Sequence, residues 1–196
     1  KRQSIEIDPS LLAQGIKDAV SGANPLMNTK EREETLQNFQ KQFRAKQQAE
    51  FQQSSTKNAQ TGAAYLAANK SKQGVITTPS GLQYIVMQPG TGAQPTDKDI
   101  VTVDYEGSLI SGKVFDSSYK RGKPVTFAVA DVIPGWKEAL KLMKVGSTWN
   151  VVVPSNLAYG ERGLGGPIGP NETLLFKIKL ISIDNGTTTA ATSVKK

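Results

Sequence analysis

The sequence predicts an α+β protein in which an N-terminal helical segment and a long connecting helix precede a curved antiparallel β-sheet wrapped on a short helix. Residues 29–70 contain no proline and are rich in Glu, Gln, Lys and Ala, so they favour one long helix. From Gly74 onward, apolar and polar residues alternate between turn signals, which is typical of β-strands. One helical stretch, about residues 134–143, lies among these strands, and this order indicates an α+β domain.

A short amphipathic helix is predicted before the long one. Asp8 supplies an N-cap carboxylate ahead of Pro9 at the first helical position. Leu12 and Ile16 follow at helical spacing, and Gly22 ends the helix as a C-cap. This apolar face is too small to fold alone, so we expect a partner to bury it.

The long helix is unusually polar in its middle. The stretch from Gln52 to Gly62 offers almost nothing apolar to bury, so we expect water on all sides of the helix there. Residues 63–67 regain an apolar face that we expect to dock on the following domain. A break near residues 54–56 or 61–62 is an alternative interpretation, because serine, threonine and glycine cluster there.

The strand-rich half is predicted to contain about five strands and one helix. Residues 111–113, Ser-Gly-Lys, predict a hairpin turn. Stretches with strand-like composition lie at residues 82–87, 101–105, 114–116, 125–129, 149–153 and 173–183. We therefore expect three regions: a helical dimerisation segment with its long linker helix at 1–73, a folded domain at 74–184, and a disordered, small and polar tail at 185–196.

Composition excludes several kinds of chemistry. The chain has no Cys and no His, which removes thiol nucleophiles, disulfides, Cys-based zinc sites and the Ser-His-Asp arrangement. We expect no metal and no cofactor, and a reaction that needs little proton transfer. No apolar run is long enough to span a bilayer, so we expect no transmembrane segment. The sequence starts at Lys1 without a leader, so we expect any signal peptide to have been removed or to lie outside it.

The formal net charge of +7 raises the question of nucleic-acid binding. Lys and Arg are scattered along the whole chain, with no basic tract interleaved with aromatic residues. We therefore expect no nucleic-acid partner.

Four of the aromatic rings in residues 103–136 lie on separate predicted elements: Tyr105, Phe115, Phe127 and Trp136. Short turns join these elements, so one fold can gather the rings into an aromatic-walled pocket. Asp116, directly after Phe115, places a carboxylate among them. Each ring taken singly has the simpler interpretation of hydrophobic core.

A glycine- and proline-rich loop at residues 160–170 invites interpretation as a phosphate-binding loop. It lacks Gly-Lys-Ser/Thr, and a predicted strand rather than a helix follows it. We expect a flap over a groove instead.

Four short motifs occur in order: Val-Phe-Asp-Ser-Ser at 114–118, Val-Ile-Pro-Gly-Trp at 132–136, Ala-Tyr-Gly at 158–160 and Leu-Leu-Phe at 174–176. Through them, residues 79–183 resemble the FKBP family of peptidyl-prolyl cis-trans isomerases. The helical N-terminal part resembles that of macrophage infectivity potentiator (Mip)-type members from Gram-negative bacteria. The resemblance implies an FKBP-like domain and a homodimer formed through the N-terminal helices.

The resemblance also implies the residues of a prolyl site. Asp116 and Tyr159 would supply the catalytic polar contacts, and Arg121 would be a partner for Asp116 within the substrate-binding set. Trp136 would form the floor of the pocket. The other substrate-binding residues would be Tyr105, Phe115, Phe127, Val132, Ile133, Ile168 and Phe176.

The implied function is to accelerate X-Pro isomerisation in exported proteins by desolvating and twisting the prolyl amide in this pocket. The implied partners are unfolded or exported proline-containing polypeptides, and macrolide inhibitors of the rapamycin type. The implied location is the periplasm, the outer membrane or the cell surface. The alternative is a chaperone or binding module that holds such chains without important catalysis.

Overall fold

A computed structural model describes residues 8–22 and 26–184. The chain divides by compactness into two units, with the division between Gln52 and Gln53. The tail expected at 185–196 lies outside the described residues. The domain boundary expected between residues 73 and 74 stays a prediction.

Helix α1 spans Pro9–Ser21 and is capped at both ends as its sequence predicts. The Asp8 carboxylate accepts hydrogen bonds from the backbone amides of Ser10, at 2.8 Å, and Leu11, at 3.4 Å. Gly22 ends the helix in the left-handed conformation, with φ of 68°, which costs glycine little. The side chains of α1 nevertheless remain largely exposed, including Leu12 and Ile16.

Helix α2 spans Thr29–Lys70. It begins with a reciprocal capping pair. The Glu31 backbone N–H donates to the Asn28 side-chain Oδ1 at 2.9 Å, and the Asn28 backbone N–H donates to the Glu31 carboxylate at 2.8 Å. The helix is continuous over 42 residues. The alternative of a break near residues 54–56 or 61–62 is therefore wrong.

The second unit is built on an antiparallel sheet with seven strands among the described residues, in the order β1-β2-β6-β7-β3-β4 with β5 also paired to β3. The expectation of about five strands was too low, partly because β1 has only two residues. The strands are β1 (Ile76–Thr77), β2 (Gln83–Gln88), β3 (Ile100–Leu109), β4 (Val114–Ser117), β5 (Val125–Ala128), β6 (Thr148–Val153) and β7 (Leu174–Asp184).

Two short helices accompany the sheet: α3 (Ser118–Arg121) and α4 (Pro134–Leu142). Strand β3 alternates strictly between more and less exposed positions, and its buried face includes Val101, Val103 and Tyr105. Helix α4 packs Trp136, Ala139 and Leu140 into the same core. The predicted α+β fold with a sheet packed on one short helix is confirmed.

The second half of α2 packs on this unit through small and polar residues. Ser55, Gly62 and Asn69 are its buried positions. The expectation that residues 52–62 face water on all sides is therefore wrong. The apolar face expected at residues 63–67 contributes only the half-buried Tyr65 and Leu66.

The second half of α2 packs against residues 170–173, which connect the glycine-rich loop to β7. The Asn171 amide donates to the Ser55 hydroxyl at 2.8 Å, and the Asn58 amide donates to the Pro170 carbonyl at 2.9 Å. A Cβ atom on Gly62 would lie 2.4 Å from Thr173 Oγ1. Glycine therefore permits an approach that any other residue would obstruct.

A buried amide pair fixes the end of the same helix. Asn69 donates to Gln83 Oε1 at 2.9 Å, and Gln83 Nε2 donates to the Leu66 carbonyl, also at 2.9 Å. The two side chains satisfy part of one another's hydrogen-bonding capacity, which makes their burial tolerable. Within the described ranges, no helix has the length and hydrophobicity needed to cross a membrane.

Candidate active site

A cavity of about 310 Å³ lies among the aromatic residues of the second unit. This volume is at the lower end of the range for small-molecule sites. Residues from β3, β4, β5, β7, α4 and the loops beside them line it. They are Tyr105, Phe115, Asp116, Phe127, Asp131, Val132, Ile133, Trp136, Tyr159 and Phe176.

Trp136 is the centre of the ring cluster. Its centroid lies 5.1 Å from that of Tyr105, 5.7 Å from that of Phe127 and 5.2 Å from that of Phe176, with interplanar angles of 87°, 83° and 86°. These edge-to-face contacts are the arrangement that aromatic quadrupoles favour. They fix the orientation of the indole.

Two glycines make room for this cluster. A Cβ atom on Gly135 would lie 2.4 Å from Val153 Cγ1, so glycine lets the first turn of α4 approach β6 and positions Trp136. A Cβ atom on Gly107 would lie 2.7 Å from the Phe115 ring and 2.8 Å from the Phe176 ring. A larger residue at either position would displace a wall of the cavity.

The Trp136 indole N–H is buried, and no acceptor for it is found among residues 8–22 and 26–184. Leaving a buried donor unsatisfied costs about 1–3 kcal/mol. Such exceptions are uncommon in folded proteins and need an explanation. This one lies at the candidate site.

Asp116 is held by two partners at the edge of the cavity. Its carboxylate accepts hydrogen bonds from the Tyr105 hydroxyl and from the Arg121 guanidinium. Arg121 Nη2 also donates to the Tyr105 hydroxyl oxygen at 2.9 Å, which closes a three-residue network. Helix α3, which carries Arg121, is capped by Ser117 and ends at Gly122.

This network sets the ionisation of its members. Burial alone would raise the pKa of Asp116, but hydrogen bonds from Tyr105 and Arg121, together with the Arg121 charge, hold that pKa below its usual value. Burial first, and the bond to Asp116 second, raise the pKa of the Tyr105 hydroxyl. At neutral pH the site therefore contains a carboxylate and a protonated phenol.

Tyr159 is the second phenol of the cavity, and its hydroxyl forms no hydrogen bond with any described residue. Burial, and then the Asp116 charge, raise the pKa of this hydroxyl. It therefore stays protonated at neutral pH and is free to donate to a ligand.

The structure gathers nine of the eleven residues proposed from the sequence around one cavity. Arg121 lies outside the lining but bonds to Asp116 and Tyr105. Ile168 is 3% exposed, belongs to the core cluster and does not line the cavity. The catalytic and binding roles of these residues stay predictions.

Asp131 lines the cavity but was missed from the sequence. It directly precedes Val132 and Ile133, so its position beside that motif was the available signal.

A larger cavity of about 380 Å³ lies between the end of α2 and the sheet. Its lining is mixed, with Lys72, Glu106, Asn150 and Lys177, and of the ring cluster it includes Phe176 alone. We therefore assign the candidate site to the smaller cavity. In the described ranges, no group of three or more Asp, Glu, His or Cys side chains could hold a metal ion.

Comparison with known proteins gives two family matches. Residues 91–181 match the family described as FKBP-type peptidyl-prolyl cis-trans isomerase. Residues 1–86 match the domain amino terminal to FKBP-type peptidyl-prolyl isomerase.

Individual relatives cover most of the chain. "Outer membrane protein MIP" of Legionella longbeachae is 55% identical over 93% of this chain and 78% of that protein. "Peptidyl-prolyl cis-trans isomerase Mip" of Coxiella burnetii is 51% identical over 93% of this chain and 80% of that protein. The crystal structure of FkpA from Escherichia coli matches with a TM-score of 0.77 and 38% identity over 91% of this chain and 83% of that one.

Proposed function

The chain belongs to the FKBP-type peptidyl-prolyl cis-trans isomerases and has their activity, and from this premise we propose that it binds the proline ring of its substrate in the cavity around Trp136. The observation that carries this proposal is the packing of Tyr105, Phe127 and Phe176 edge-to-face around one indole. A saturated five-membered ring presents apolar surface that such walls bury favourably.

The same cavity accounts for the rate acceleration. An X-Pro amide resists rotation by about 18–20 kcal/mol because of its partial double-bond character. Twisting removes the resonance, so the carbonyl is less polar in the transition state than in the planar amide. Water favours the planar form, whereas an aromatic cavity excludes water and favours the twisted form relative to it.

Polar groups at the cavity would orient the chain on either side of the twisted bond. The Tyr159 hydroxyl, which has no partner among the described residues, would donate to a substrate carbonyl, as would the Ile133 backbone N–H. Asp116 would hold Tyr105 in place through their hydrogen bond. The reaction needs no nucleophile and no general base, which agrees with a chain that contains neither Cys nor His.

A proline-limited refolding assay tests this function. The protein is expected to accelerate the slow phase at substoichiometric amounts, and a rapamycin-type macrolide is expected to abolish the acceleration by filling the cavity. A protein that suppresses aggregation only at stoichiometric amounts, without changing the slow phase, would be a holding chaperone. The relatives named as isomerases do not favour that alternative.

The first unit supports a proposal of homodimerisation. Apart from the half-buried Phe43, its large apolar side chains remain exposed on α1 and on the first half of α2, and Phe39 stacks on Phe43 with ring centroids 5.8 Å apart. Exposed apolar surface of this kind marks an interaction site, and residues 1–86 match the domain that precedes such isomerases. Sedimentation at micromolar concentration tests the proposal, which a monomer would contradict.

The location is proposed from the relatives. One of them is named an outer membrane protein. We propose that the chain resides in the periplasm or at the outer membrane or cell surface, where exported polypeptides that contain proline would be its substrates. Cell fractionation with periplasmic and cytoplasmic marker proteins tests this location.

A further inference from the structure

Two carboxylates line the cavity within the described part of the chain, and they differ in their partners. Both oxygens of Asp116 are engaged, and the Arg121 charge offsets its own. Asp131 is exposed and forms no hydrogen bond or ion pair with a described residue. Lys120 and Lys123 lie beside Arg121 in the chain but do not line the cavity.

The wall of the cavity therefore carries one uncompensated negative charge, at Asp131. This local sign is opposite to the formal net charge of +7 on the whole protein. Long-range attraction by the whole protein would favour acidic peptides. Any preference of the site for basic peptides must therefore originate near the cavity.

The position of Asp131 brings its carboxylate near the substrate residue that neighbours the prolyl bond. Asp131 ends a 3-10 turn and is followed by Val132 in extended conformation, with ψ of 164°, and by Ile133, with φ of -56° and ψ of 150°. Extended residues advance about 3.3 Å each, so Asp131 lies within about 7 Å of Ile133 along the chain. A peptide whose proline rests on Trp136 would place its adjacent side chain at comparable range, where charges interact at moderate salt.

We propose that Asp131 is a specificity-determining residue that favours substrates with Lys or Arg next to the prolyl bond and disfavours those with Asp or Glu there. This inference rests on the proposed use of the cavity around Trp136. It adds a substrate class to the isomerase, because an apolar cavity alone does not distinguish charged neighbours by sign.

The test uses capped tetrapeptides without terminal charges. One series has Lys, Leu or Glu immediately before proline, and a second series has the same residues immediately after it. Exchange NMR gives kcat/KM for each peptide at about 0.01 M and about 1 M salt, where the Debye length falls from about 30 Å to about 3 Å. In at least one series, the Lys/Glu ratio of kcat/KM is expected to be about three- to tenfold, because it combines the attraction of Lys with the repulsion of Glu, each of the size of an exposed charge interaction, and it is expected to approach one at high salt.

Variants locate the effect. Asp131→Asn removes the charge with little change of shape and is expected to bring the ratio close to one, while Asp131→Lys is expected to invert it. The matched control is Asp184→Asn, because Asp184 is an exposed carboxylate outside the cavity lining. The control is expected to keep the wild-type ratio.

The outcomes separate this inference from the proposed function. Turnover of the Leu peptide by the wild-type protein supports the proposed function. If that peptide is turned over but in neither series does the wild-type Lys/Glu ratio start above one and fall toward one with salt, or if the ratio is the same in the Asp131→Asn variant, the specificity inference is overturned and the function stands. If the Leu peptide is not turned over, both fail. The direction of the salt dependence in the wild-type protein decides the matter even if a variant does not fold, because the net charge of +7 would by itself give a ratio below one at low salt.

Discussion

Removing one hydroxyl group from each of two tyrosines in the cavity is expected to separate catalysis from stability. Tyr105 and Tyr159 both line the cavity. The Tyr105 hydroxyl bonds to Asp116 and Arg121, whereas the Tyr159 hydroxyl has no partner among the described residues. Tyr159→Phe therefore removes a group that is available only to the substrate, and Tyr105→Phe is its matched control.

The structure sets the expected magnitudes. A neutral hydrogen bond contributes about 0.5–1.5 kcal/mol net, so Tyr159→Phe should lower kcat/KM about 2- to 13-fold. Its free energy of unfolding should stay within about 0.5 kcal/mol of wild type, because no bond within the protein is lost. Tyr105→Phe removes two bonds to charged groups, but the Asp116 and Arg121 side chains are 38% and 41% exposed. Water replaces part of that loss, so the free energy of unfolding should fall by about 1–2 kcal/mol.

Exchange NMR on a capped Leu-Pro tetrapeptide measures kcat/KM, and urea unfolding measures stability, both at pH 7. The raised pKa of Tyr159 keeps its hydroxyl protonated under these conditions. Wild-type kcat/KM in folded Tyr159→Phe would show that this hydroxyl does not contact the reacting chain. An equal loss of stability in the two variants would show that it has a structural partner.

Four further outcomes are expected. Asp116→Leu should lower kcat/KM about 5- to 150-fold, the equivalent of about 1–3 kcal/mol, with an unchanged circular dichroism spectrum; wild-type rates would refute the role of the carboxylate. On a peptide without ionisable side chains, kcat/KM should stay flat from about pH 6 to 8, because the pKa of Asp116 is lowered and its carboxylate stays charged throughout this window. The stability that this charge contributes is lost only as pH falls through that lowered pKa. A bell-shaped profile of kcat/KM between about pH 6 and 8 would show that proton transfer matters. Gly62→Ala should destabilise the protein in urea unfolding, because about 1–3 kcal/mol of overpacking against Thr173 exceeds the gain of about 1 kcal/mol in helix propensity. Adding Thr173→Ala should recover part of the lost stability. A Gly62→Ala variant more stable than wild type would contradict the contact between Gly62 and Thr173. Removing residues 1–52 should leave tetrapeptide turnover nearly unchanged and should turn a dimer into a monomer in sedimentation. It should also slow catalysis of proline-limited refolding, since paired cavities raise the effective concentration of a long client. Equal refolding activity of the shortened and the full-length protein would contradict the proposal of paired cavities.

Much of the fold could be predicted because its signals are local. Capping at Asp8, strand alternation and the hairpin at residues 111–113 each depend on neighbouring residues, and the structure agrees with them. The gathering of the four rings around one cavity followed from their placement on elements joined by short turns.

The packing of α2 could not be predicted, because its contact surface has no hydrophobic period. Ser55 and Gly62 are buried on account of their small size and of what faces them. Gln83 is buried because Asn69 lies opposite it, and a pair of amides leaves no mark on a hydropathy pattern. Ile168, similarly, was expected at the ligand, but a short bridge between Gly165 and Ile168 accompanies its burial in the core.

Helix α2 is continuous in its hydrogen bonding but not in its packing. Between Thr29 and Gln52 the side chains are exposed apart from the half-buried Phe43, whereas the part after Gln53 buries residues at three positions. Amide hydrogens in the first part should therefore exchange with solvent through frequent local opening, and those in the second part should be protected to nearly the same extent as the sheet. Limited proteolysis would then cut the chain in the middle of a helix, near Gln52, and leave residues 53–70 attached to the isomerase domain.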